Sequence, residues 1–212
     1  MTPASDDLPV TLPVALPPGC AGARIAVSTV ASMVGNDGST RRADFLAGRW
    51  AAAEAIRRLG MDEPSGLLGR TPDGAPIWPE GVAGSISHHS GIACAVVSAE
   101  ARGVGVDIAP ILHESQLRAV SRRCLVDAER GRWRSPHEVA VAFAAKESIY
   151  KAVHPLLGRY VGFDEADILE QVDGSWTARL GERLASEIGA GWVSGAYAWD
   201  DGRVYVVLAF EG

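Results

Sequence analysis

Residues 135–155 read SPHEVAVAFAAKESIYKAVHP, a run of helix signals in one short span. Ser135 and Glu138 form an S-x-x-E capping box, in which each side chain satisfies the other residue's free backbone N–H. Pro136 takes the first helical position, where a missing N–H costs nothing. The spacing predicts a helix to about His154, with Pro155 as its stop. At about 100° per residue, Val139, Ala142, Phe143, Tyr150 and Val153 share one face, with Lys146 in the middle of it. A lysine on a core face needs an anionic partner or a way out to water. Glu147 and Lys151 are i,i+4 neighbours on the flank. An ordinary surface pair worth about 0.2–0.5 kcal/mol would account for those two but not for Lys146.

Upstream, Ile92–Ser98 and Val104–Ile108 read as two strands around a short turn, which predicts a hairpin. Val104, Val106 and Ile108 alternate onto one face of the second strand, leaving Asp107 on the other. Aspartate is a poor strand former. It can be read as a solvent-facing residue at a strand end or as a metal-ligating carboxylate. Further upstream, Thr40 to Leu59 is helical in pattern, with Gly60 as its stop. Phe45, Ala52, Ile56 and Leu59 form the apolar stripe, and Arg42 and Arg49 fall on it one heptad apart. They can be arginines snorkelling from the stripe's edge or an anion site, since a guanidinium fork matches phosphate oxygens.

Downstream, Asp173-Gly174 and Asp200-Asp201-Gly202 mark two further hairpins. Helix followed by antiparallel strands, twice over, predicts an α+β protein. The expected divisions are a proline-punctuated lead-in over 1–23, an N-terminal half over 24–109 and a C-terminal half over 110–212.

The 212 residues are 47% hydrophobic and 22% charged, ordinary for a soluble globular chain. No apolar run approaches the roughly 20 residues that span a bilayer, and the acidic start MTPASDDLPV is unlike an export signal. A net charge of −6 argues against nucleic acid as a partner. Cys20, Cys94 and Cys124 are widely spaced with no CxxC, which suits a reducing, cytoplasmic setting. P-loop, dinucleotide, H-E-x-x-H and G-x-S-x-G motifs are all missing.

In order along the chain, GSISHHSG (84–91), GVGVDIAP (103–110) and FAAKESIYK (143–151) resemble elements of the 4′-phosphopantetheinyl transferases. The likeness is to the longer, enterobactin synthetase component D-like type serving siderophore and other nonribosomal peptide synthetases. RRADFLAGRWAAAEAIRRLG and the P-x-W-P-x-G-x-x-G-S-x-S-H run from Pro76 to His88 extend the likeness over residues 40–170.

The resemblance implies two similar halves related by a pseudo-twofold, each a helix on a small antiparallel sheet, with the active site between them. It implies transfer of the phosphopantetheine arm of coenzyme A to a serine of an acidic acyl or peptidyl carrier protein. Asp107 and Glu147 would hold Mg²⁺, and Arg42, Arg49, Ser87 and His88 would contact coenzyme A. Glu147 would act as base, Lys151 would neutralise the departing adenosine 3′,5′-bisphosphate and Lys146 would steady the phosphates. With both half-sites in one chain, a monomer would suffice. Ala109 stands where many longer members carry a third carboxylate, which keeps an inactive binding module in view beside a second rival, a metal-dependent coenzyme A hydrolase. The arginines of LRAVSRRCLVDAERGRWR, from Arg118 to Arg134, would help dock the carrier.

Overall fold

The computed structural model describes residues 10–34, 40–62, 66–72 and 74–211, so the first nine residues of the expected lead-in lie outside the described residues. The described part of the lead-in packs inward through Leu12 and Val14. Strand β1 (Cys20–Ala26) then begins before the expected boundary at residue 24, because Cys20 already pairs with Ser98. Helices α1 (Val27–Val34) and α2 (Thr40–Arg58) follow, then β2 (Ala83–His89), β3 (Ile92–Ser98) and β4 (Gly103–Pro110). The second half comprises α3 (Glu114–Cys124), α4 (Asp127–Arg132), α5 (Pro136–Leu157), a 3₁₀ turn (Phe163–Glu165), β5 (Ala166–Val172), β6 (Ser175–Leu180), α6 (Glu182–Ile188), β7 (Trp192–Asp200) and β8 (Arg203–Phe210).

Among the described residues these strands form two antiparallel sheets, ordered β1-β3-β2 and β4-β8-β7-β6-β5. The α+β class is as expected, with one long helix on each sheet. The expected hairpin between β3 and β4 is not formed. Instead β3 returns along β2 through Ser90-Gly91, and β4 pairs with β8. Ser90-Gly91, Asp173-Gly174 and Asp201-Gly202 each have positive φ at both residues, the tight turn whose twist suits a two-residue hairpin. Because β4 belongs to the second sheet, the division at residue 109/110 also cuts through a strand of the C-terminal unit.

Alternation along β3 divides the core. Ala93, Ala95 and Val97 face α2, whereas Cys94 and Val96 join Val104, Val106, Ile108, Tyr205 and Val207 between the sheets. The α2 stripe is made of Ala43, Ala47, Ala51, Ala55 and Ile56, and Phe45 is exposed rather than buried in it. Alanine lets the helix lie close to the small residues of β3, and a phenyl ring would not fit there.

Helix α5 starts on the expected capping box, with Ser135 Oγ accepting from Glu138 N–H. It runs past Pro155 to Leu157 and ends at Gly158 in the left-handed region. In the last turn proline forfeits one backbone bond, and the Gly158 N–H to His154 carbonyl bond closes the end. No helix among the described residues is long and apolar enough to cross a membrane.

Candidate active site

The site begins with two glycines. Gly103, Gly105 and Asp107 share one face of β4, and α5 lies directly on that face. A Cβ at Gly105 would fall 1.9 Å from the Ser148 carbonyl oxygen, and one at Gly103 would fall 2.7 Å from that of Ala152. Only side chains reduced to hydrogen permit so close an approach. The approach brings Lys151 down onto Asp107: its Nζ lies 2.7 Å from Asp107 Oδ1 and 3.1 Å from the Val106 carbonyl.

A second set of bonds reaches Asp107 from the first sheet. Ser87 Oγ donates to Asp107 Oδ1 at 2.9 Å and accepts from the Ile108 N–H at 3.2 Å. Ser85 Oγ accepts from the Val106 N–H at 3.1 Å. Hydroxyls of β2 thus satisfy the free edge of β4 where no backbone ladder does, and they fix the Asp107 rotamer. Ser87, expected as a coenzyme A contact, is buried and spends its hydroxyl on Asp107 and the Ile108 N–H.

Glu147 lies one turn before Lys151 on α5 and is half-buried. Among the described residues none donates a hydrogen bond to its carboxylate. Burial pushes its carboxyl pKa up, the Asp107 charge pushes it further, and Lys151 and Arg123 pull the other way. Two neighbouring carboxylates, one of them without a donor, form an oxygen set suited to a hard divalent cation that takes its other ligands from phosphate and water. Among the described residues no cluster of three or more His, Cys, Asp or Glu could hold a metal. Ala109, buried two residues along the same face, adds no oxygen.

Three hollows surround these groups. A cleft of about 590 Å³ lies between β2 and α5, bordered by Trp78, Ser85, Ile86, Tyr150, Lys151 and His154. A second, of about 440 Å³, shares Pro76 and Ile86 with it and gathers Arg41, Arg49 and His88. Beyond Tyr150, a third of about 540 Å³ holds Glu147 and Arg123 among Phe143, Tyr150, Tyr160 and Phe163. Phe143 and Tyr150, expected on the core face of α5, pack against the core at its edge and line hollows as well.

Arg49 is buried at the second hollow. It donates to the Leu68 carbonyl at 2.9 Å, and its guanidinium lies 4.6 Å from the Phe45 ring centroid. Burial, then the charge of Arg70, lowers its pKa. His88 is exposed and borders the same hollow. Arg41, not Arg42, completes the basic lining. Asp44 also borders this hollow, and Arg42 is exposed outside its lining.

Lys146 is the clearest correction. It faces away from the cleft, 2.6 Å from Glu129 Oε2 and 2.7 Å from the Phe163 carbonyl, with both charged side chains buried. The anionic partner demanded by its core position exists, and it is a protein carboxylate rather than a phosphate.

Two family models match the chain: the 4′-phosphopantetheinyl transferase N-terminal domain over residues 30–98, and the 4′-phosphopantetheinyl transferase superfamily over residues 103–204. The chain is 39% identical over 145 residues to 4′-phosphopantetheinyl transferase Npt of Nocardia iowensis, covering 64% of this chain and 62% of that protein. It is 34% identical over 160 residues to 4′-phosphopantetheinyl transferase PptT of Mycobacterium tuberculosis, covering 73% and 70%. It is 36% identical over 136 residues to enterobactin synthase component D of Salmonella typhi, covering 62% and 56%.

Proposed function

The chain belongs to the 4′-phosphopantetheinyl transferase superfamily, and on that premise we propose that it moves the phosphopantetheine arm of coenzyme A onto a carrier-protein serine. The carrier is an acidic acyl or peptidyl carrier of the siderophore or nonribosomal peptide type. The observation that carries the reading is the meeting of Asp107, Lys151 and Glu147 at the junction of a basic cleft and an apolar hollow.

Coenzyme A spans both environments, with an anionic nucleotide end and a largely uncharged arm. Arg41, Arg49 and His88 suit the phosphates of the nucleotide end. The pyrophosphate then falls beside Lys151 and the two carboxylates. Mg²⁺ held by Asp107 and Glu147 would neutralise pyrophosphate charge, the usual service of a hard cation in phosphoryl transfer. The chain's own groups do the rest. Glu147, its carboxyl pKa pushed up, takes the proton of the serine hydroxyl directly or through water. The serine oxygen bonds to the β-phosphorus as the β-phosphorus bond to the bridging oxygen breaks. Adenosine 3′,5′-bisphosphate leaves, and Lys151 offsets its growing charge.

Arg118, Arg122 and Arg123 on α3 are exposed, and Arg123 is part of the lining of the same hollow. That cationic face suits an acidic carrier. One chain supplies both sides of the site, which supports a monomer, and three free thiols support a cytoplasmic setting.

The test is to mix the protein with Mg²⁺, coenzyme A and a panel of apo carriers, and to weigh each carrier. Gain of one phosphopantetheine supports the proposal. Loss of coenzyme A without a carrier would indicate a hydrolase, and binding without turnover an inactive module.

A further inference from the structure

Glu129 and Lys146 form a buried ion pair, with side-chain exposures of 0% and 1%, next to the proposed catalytic carboxylate in sequence but outside the cleft. Both members of the pair have further hydrogen-bond partners. Glu129 Oε1 accepts from the Ile168 N–H at 2.6 Å, and its Oε2 accepts from the Val126 N–H at 2.8 Å as well as from Lys146. Lys146 also donates to the Phe163 carbonyl. Four segments therefore converge on two side chains: α5, the start of α4, the 3₁₀ turn and the start of β5.

A buried ion pair is a poor source of net stability, since well-packed apolar residues of similar volume commonly do as well or better. What it supplies is geometry, because unpaired alternatives are heavily penalised. Two of the segments it joins, α5 and the 3₁₀ turn, are walls of the hollow that holds Glu147. Phe143, Glu147 and Tyr150 come from α5. Phe163, whose ring is 5.9 Å from that of Phe143, comes from the 3₁₀ turn. Arg123 and Cys124 come from the end of α3, which leads through Leu125 and Val126 into α4.

We propose that Glu129 and Lys146 are positioning residues that set the spacing of the Glu147 hollow and so aim the proposed base at the carrier serine. The inference rests on the transferase reading for its kinetic arm only. The pair touches neither substrate nor reacting atoms.

The test uses the full chain with Glu129→Leu, Lys146→Met and the double variant Glu129→Leu/Lys146→Met. Each single change strands a buried charge and should lower the urea midpoint sharply. The double change removes both charges and keeps the volume, so its melting should return close to that of the unsubstituted chain. Its kcat should nevertheless fall by about tenfold or more, with KM for coenzyme A within about twofold. Amide hydrogen exchange should rise in residues 160–165 and stay unchanged in β4. Recovery of melting, kcat and exchange together would overturn the proposal and leave the pair as filling. Glu129→Gln keeps shape and acceptor, and serves if the double variant fails to fold. It should show the same exchange increase and a smaller kcat loss at constant KM for coenzyme A; unchanged exchange and kcat there would also overturn it. If the unsubstituted chain transfers nothing, the transferase reading fails while the exchange arm still decides the positioning claim.

Discussion

Gly105→Ala adds one methyl group far from solvent, yet it should disable the site. The new Cβ would lie 1.9 Å from the Ser148 carbonyl oxygen, where ordinary contact begins at 3.4 Å. Helix α5 and β4 must therefore part by about 1.5 Å at that point. The obstacle is backbone in the middle of a helix buried on both flanks, so no side-chain rotation relieves it. Overpacking of this kind costs about 1–3 kcal/mol in stability. Function should suffer more. The 2.7 Å Lys151–Asp107 contact is one turn along α5 and opens with the helix, and displacement by about 1 Å near reacting groups costs about 10²-fold in rate. The assay pairs urea denaturation with carrier modification followed by mass. Gly131→Ala is the control, because a Cβ there meets nothing within 4 Å. It should melt at or slightly above the parent temperature and keep full turnover. If Gly105→Ala melted like the parent and kept turnover within about threefold, the claim that this glycine sets the seating of α5 would be refuted.

Glu147→Gln should lower kcat by at least about 10²-fold, roughly 2.7 kcal/mol, with melting unchanged; near-normal turnover would remove Glu147 as base. Charge reversal at both Arg122 and Arg123 should raise KM for an acidic carrier and weaken its salt dependence. An unaltered carrier KM would place docking elsewhere. Burial pushes the Cys94 thiol up to about 12 and the Cys124 thiol to about 11. Neither should react with an aromatic disulfide at pH 8 until the chain unfolds, and fast native labelling of Cys94 would contradict its burial. The backbone N–H of Ser135, together with that of Arg134, holds the Glu138 carboxyl below its ordinary range. A depressed folded-state value stabilises above the unfolded carboxylate pKa of about 4.3 and is lost as pH falls through the folded value. Glu138→Gln should thus cost about 0.3–1.5 kcal/mol at pH 7 and less at pH 3; a difference constant between those pH values would discount the charge.

Local signals were legible and distant pairings were not. The α5 start and the Asp-Gly turns depend on neighbours in sequence, so Ser135, Glu138, Asp173 and Asp201 announce them. The partner of β4 lies about a hundred residues away in β8, and alternation in β4 is the same whichever strand it joins. The Phe45 error has a related cause. A stripe of alanines carries little hydrophobic contrast, so Phe45 stands out in the sequence although it lies outside the buried face. Asp107 was readable because an aspartate inside a strand breaks the local rule. Ser87 and Glu129 were not, because a serine in a strand and a glutamate in an arginine-rich helix break none.

The K-E-x-x-x-K spacing makes physical sense once each side chain has its own neighbour. Successive helical positions differ by about 100°, so Lys146 and Glu147 cannot serve one ligand as a pair, whereas Glu147 and Lys151, four apart, return to nearly the same side. The helix uses this to separate tasks: Lys146 goes to Glu129 in the interior, Lys151 to Asp107 at the cleft, and Glu147, at the hollow, has no hydrogen-bond donor among the described residues. An unpartnered, half-buried carboxylate is costly to keep unless a cation or a proton is to be received there. The two lysines are each held by a carboxylate, so neither is available to neutralise Glu147 outright. Burial, and then the Asp107 charge, raise its carboxyl pKa, and this division of partners leaves the group placed to bind a metal or accept a proton.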